Sequence, residues 1–68
     1  MKYIKIVNER ETNKAENTLS HARIPYMVKT FARQVFHVYD EHFESAKSLL
    51  YEAGIDYDEV NRPEAHYE

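Results

Sequence analysis

The chain has 68 residues, no cysteine, one glycine and two prolines, which admits one small domain and excludes a disulfide or a cysteine-based zinc site as its staple. Nine Lys+Arg against twelve Asp+Glu give a formal net charge of −3, a balance that disfavours nucleic acid as the default partner. No apolar run approaches the ~20 residues of a membrane span, and Lys5 interrupts the opening MKYIKIVNERE before it can form a signal-peptide core, so the chain reads as cytoplasmic with no membrane partner.

Residues 2–7 (KYIKIV) alternate, with Ile4 and Ile6 on one face and Tyr3, Lys5 and Val7 on the other, the pattern of a half-buried strand. A polar stretch at 8–14 leads into a helix over 12–23, with Thr12 or Asn13 as cap and Ala15, Leu19 and Ala22 as a narrow apolar stripe. Pro25 stops that helix and biases Ile24 toward extended backbone. Residues 25–31 form a second strand, with Tyr26, Val28 and Thr30 on one face and Met27, Lys29 and Phe31 on the other. Ala32-Arg33 reads as the turn. It lacks the Asn-Gly or Asp-Gly of tight hairpins, so a longer or bulged connection is expected.

Residues 34–39 (QVFHVY) form the third strand, with Phe36 and Val38 opposed to Val35, His37 and Tyr39. Asp40 is the expected N-cap of a helix over 41–53, whose apolar side is Phe43, Ala46, Leu50 and Ala53, with Leu49 beside them; Glu41 and Glu44 suit the positive end of its dipole. Gly54 falls where a left-handed C-cap belongs. Ile55, Tyr57 and Val60 mark a short last strand, and 61–68 is a polar tail. The order β-α-β-β-α-β predicts an α+β, ferredoxin-like domain over 1–60, with two helices on one face of a four-stranded antiparallel sheet.

An internal repeat supports this architecture. At an offset of 31 residues, Ala15, Leu19, Ala22, Ile24 and Tyr26 match Ala46, Leu50, Ala53, Ile55 and Tyr57. With one residue of slippage, Ile4 and Ile6 match Phe36 and Val38. Two βαβ halves are what such a fold requires. The expected core is Ile4, Ile6, Ala15, Leu19, Ala22, Tyr26, Val28, Phe36, Val38, Phe43, Ala46, Leu50 and Ala53.

HARIPYMV (21–28) followed by a short hairpin and FHVYDEHFESAKSLLYEAGI (36–55) resembles the small bacterial domains labelled as signal-transducing proteins, whose folds are similar to the nitrogen-regulatory class. Ala22, Ile24 and Pro25 match the first helix-end turn. Asp40, Glu41, Ala46, Leu49, Leu50, Ala53, Gly54 and Ile55 match the second. Arg23 stands where that pattern has Gly, so it must either take left-handed backbone at a cost of ~1 kcal/mol or end the helix differently. The resemblance implies a regulatory role and carries no established activity. The hairpin near 31–34 is short and no Gly-rich phosphate loop is present, so nucleotide binding does not follow from it.

Catalytic and metal motifs are not legible. His37, Asp40, Glu41 and His42 lie close in sequence without a known ligand spacing. Ser20 and His21 are adjacent on a helix and so point about 100° apart. A domain this small is expected to lack room for a closed pocket of ~300 Å³. The reading is therefore a non-catalytic domain without cofactor.

The sheet face away from the helices is the informative surface. The expected partner-binding residues on it are Tyr3, Lys5, Val7, Met27, Lys29, Phe31, Val35, His37 and Tyr39. Such an apolar face suits self-association, homodimerisation being the leading expectation, or docking of another protein. Stacking of single-stranded RNA is a weaker alternative, favoured by Lys5, Lys29 and Arg33 but opposed by the acidic balance. A further alternative is a small phage or mobile-element inhibitor that meets a host enzyme through Glu41, Glu44, Glu52, Asp56, Asp58 and Glu59.

Overall fold

The strand pairing decides which residues meet. A computed structural model describes residues 1–60; the expected tail at 61–68, and whether it covers the sheet, lie outside the described residues. The elements run β1 (Lys2–Ile6), a 3₁₀ turn (Glu9–Glu11), α1 (Thr12–His21), β2 (Tyr26–Lys29), β3 (Ala32–Val38), α2 (Asp40–Glu52) and β4 (Tyr57–Val60). The sheet order is β2-β3-β1-β4, antiparallel throughout. This is the expected α+β arrangement of the ferredoxin-like type.

Cross-strand partners share a face, so the register writes the composition of each side. Val28, Phe36 and Ile4 form one row on the helix side, and Tyr26 and Val38 the next. Met27, His37, Tyr3 and Val60 form a row on the opposite side, with Val35, Lys5 and Asp58 beside it. Ile4 and Phe36, matched by the repeat, are direct neighbours on the two central strands.

Both helices end alike. Ile24 N–H donates to the Leu19 carbonyl at 3.0 Å and Arg23 N–H to that of Ser20 at 3.0 Å; Ile55 N–H donates to Leu50 at 3.0 Å and Gly54 N–H to Tyr51 at 3.1 Å. These paired bonds are Schellman caps, which require a left-handed residue and bring the residue after it onto the last helical turn. Arg23 (φ 60) and Gly54 (φ 76) supply that residue, so Arg23 takes the left-handed geometry rather than a different helix end. Each cap drives an isoleucine into the core, Ile24 against Leu19 and Ile55 against Leu50.

The core differs from the expected set at its edges. Ala22 is exposed, because it is the C-cap residue where the chain already leaves the helix. Tyr26, Val28 and Ala53 are half-buried against the core rather than inside it. Ile24 and Ile55 are fully inside, placed there by the caps. The caps at the N-termini differ too. α1 starts at Thr12 behind a 3₁₀ turn whose own cap is Asn8, its side chain accepting from Arg10 N–H at 3.0 Å. α2 begins at Asp40, with Tyr39 rather than Asp40 at the N-cap and no side-chain cap bond.

The hairpin turns two residues earlier than expected. Thr30-Phe31 is the turn and Ala32-Arg33 open β3, because Ala32 falls on the buried side in phase with Phe36 and Val38. Two-residue hairpin loops favour positive φ, yet Arg23 is the one non-glycine with positive φ among the described residues. The mismatch appears as a register shift between Val28 and Lys29, the bulged connection anticipated from composition.

Candidate functional site

The sheet face is built by alternation. Tyr3 and Lys5 on β1, Val35 and His37 on β3 and Met27 on β2 all project away from the helices, as expected. Their exposure does not follow the expectation of a bare face. Val35 is 2 % and His37 4 % exposed. Both lie on a central strand; Tyr3 stands edge-on to the His37 ring, centroids 5.0 Å apart, and Lys5 faces Val35 across the pair. The middle of the face is therefore buried rather than bare.

On this face the exposed apolar surface sits at the perimeter. Met27, on the edge strand β2, is 51 % exposed and Phe31, in the hairpin turn, 61 %. Val7 follows the end of β1, Tyr39 follows β3, and both are exposed. Lys29 is exposed beyond the register shift, where alternation no longer assigns its face.

At the end of the sheet, where β1 exits and the hairpin turns, a cleft of about 620 Å³ opens. Sequence reasoning addressed only a closed pocket and did not foresee this open one. β1 and β3 pair only as far as Lys5 and Val35, and the 3₁₀ turn Glu9–Glu11 with the first residues of α1 supplies the cleft's other side. Lys5, Arg10 and Arg33 line it, with Thr12, Asn13, Thr30 and Gln34 as neutral polar groups and Phe31 and Val35 as apolar wall. Gln34 Nε2 donates to the Ile6 carbonyl at 2.7 Å and ties the hairpin base to β1 where ladder pairing stops. Residues 5, 10 and 33 share no motif and no periodic relation; only the fold brings them together.

The acidic residues do not make one surface. Alternation sends Asp58 and Glu59 to opposite sides of β4. Glu59 and Glu44 meet Lys47 at 2.8 and 3.3 Å, and Lys47 Nζ also lies 4.7 Å above the Phe43 ring. The carboxylate bonded to it, Glu59 first, holds the Lys47 ammonium above its ordinary pKa. Ser20 and His21 are both exposed at the end of α1. Among the described residues no three of His, Cys, Asp and Glu converge to hold a metal ion, and no helix is long and apolar enough to cross a membrane.

Fold and surface together define a small α+β domain of ferredoxin-like type, with an apolar sheet perimeter and a basic cleft at one sheet end. Comparison with protein-family models, curated proteins and solved structures gives no match to this chain.

Proposed function

We propose that this protein is a non-catalytic interaction module of regulatory type that pairs with a second copy of itself through the sheet side opposite the helices. The observation that carries this reading is the exposure of Met27, on that side of the edge strand β2, and of Phe31 in the hairpin turn that follows the same strand. Large exposed apolar groups cost solvation unless a partner covers them. A chain of 68 residues has a thin core, and association is a usual way for such domains to gain buried area. The helix-end turns at 22–25 and 53–55, which resemble those of signal-transducing domains, agree with a regulatory rather than catalytic role.

Sedimentation of the full chain at high concentration tests this. The expected result is a dimer for the wild type and a monomer for the Met27→Glu/Phe31→Glu double variant, with the fold retained by circular dichroism and a melting temperature that no longer rises with concentration. A wild-type chain that stays monomeric across the concentration range overturns self-association.

A further inference from the structure

We infer that the cleft at the end of the sheet binds a small phosphate ester, the phosphate held by Lys5, Arg10 and Arg33. The three cations come from β1, the 3₁₀ turn and β3, and all line the same space. None of them takes part in an ion pair among the described residues, where the pairs use Lys47, His42 and the chain's amino group. Asp58 stands across from Lys5 on β4, and Glu9 lines the cleft, yet neither forms an ion pair with the three cations. The result is a locally positive hollow in a chain of net charge −3. Three cations against one lining carboxylate leave an excess of like charge, and a bound dianion relieves that repulsion while gaining attraction from each of them.

The donor set narrows the ligand. Two guanidinium forks and an ammonium, arriving from three segments, suit a tetrahedral anion with several acceptor oxygens better than a planar carboxylate. The wall also holds an unused hydroxyl. Thr12 is 8 % exposed, and its Oγ1 is shut off from solvent without a hydrogen-bond partner. A buried hydroxyl left unpaired is costly, and because Thr12 lines this cleft, a rotation about its χ1 toward the space gives the hydroxyl an acceptor when the ester binds. About 620 Å³ exceeds what a bare phosphate needs and lies within the range of small-molecule sites. Phe31 and Val35 line the same space, which suits an ester carrying an apolar group.

The test is a titration of the full chain with phenyl phosphate, and separately with inorganic phosphate, followed by amide NMR shifts at constant ionic strength. Saturable shifts confined to residues near 5, 9–13 and 30–35 are expected, with phenyl phosphate the tighter of the two. Arg10→Gln and Arg33→Gln, both at exposed positions, should each weaken binding about tenfold or more, the scale of one charged hydrogen bond. Thr12→Val should weaken binding while leaving the melting temperature unchanged or higher, which a purely structural threonine would not do. Met27→Glu lies off the cleft and should abolish association without altering the titration, so the two readings fail separately. Absence of saturation, shifts reproduced by chloride, or affinity indifferent to both arginine substitutions overturns the assignment.

Discussion

Arg23 and Gly54 hold the same left-handed backbone, φ 60 and 76, at equivalent ends of the two helices. One residue can adopt this conformation freely and the other cannot. The two halves of the repeat therefore carry unequal strain at one shared position.

Exchanging residues there should move stability in opposite directions. Arg23→Gly is expected to stabilise by up to ~1 kcal/mol, since it removes the left-handed cost but adds unfolded-state freedom. Gly54→Ala is expected to destabilise by ~1 kcal/mol. An added Cβ at Gly54 meets nothing within 4 Å, so backbone strain is the whole cost. Thermal unfolding reads both, at roughly 4–8 °C per kcal/mol for a domain of this size. A lower melting temperature for Arg23→Gly would contradict the strain argument.

The repeat pairs Ala22 with Ala53 and Leu19 with Leu50, but burial separates these positions. Leu50 is fully buried, and Leu50→Ala should cost ~2–5 kcal/mol, enough to unfold much of a marginally stable domain. Ala22→Ser, at an exposed cap position, should stay within ~0.5 kcal/mol of wild type. Denaturant melts of the two variants check the contrast, and equal effects would refute the burial assignment.

Val35 and Phe31 were equivalent members of the sheet face by alternation, yet Val35 is 2 % and Phe31 61 % exposed. Val35→Glu buries a carboxylate and should prevent folding or force the group to stay protonated. Phe31→Glu should fold with stability close to wild type. Circular dichroism of both proteins separates the cases. A folded, equally stable Val35→Glu domain would show that the centre of the face is open after all.

Lys47 predicts a pH dependence. Its hydrogen bond from Nζ to Glu59, backed by Glu44, raises the ammonium pKa above the ordinary 10.5 in the folded chain. A raised folded-state pKa gives stabilisation that is complete below 10.5 and is lost as pH rises through the folded value. The gap in melting temperature between wild type and Lys47→Met should stay constant from pH 7 to 9 and shrink above 10.5. A gap that narrows already between pH 7 and 9 would sink the assignment.

The local order was legible because its causes are local. Alternation in KYIKIV, the four- and three-residue spacing of Ala15, Leu19 and Ala22, and Gly54 after a helical stripe each act within a few residues of the chain. From these the element order, the two-on-one-side layering and the left-handed Gly54 follow without knowledge of contacts. Chemistry spread across distant segments has no such signature. The burial of Val35 and His37 depends on what packs over the face, which alternation does not state. The bulge at Val28/Lys29 depends on a turn that the chain must make with no left-handed residue. The gathering of Lys5, Arg10 and Arg33 depends on pairing between β1 and β3 stopping at Lys5. Periodicity determines which way a side chain faces; only the packed fold decides what stands in front of it.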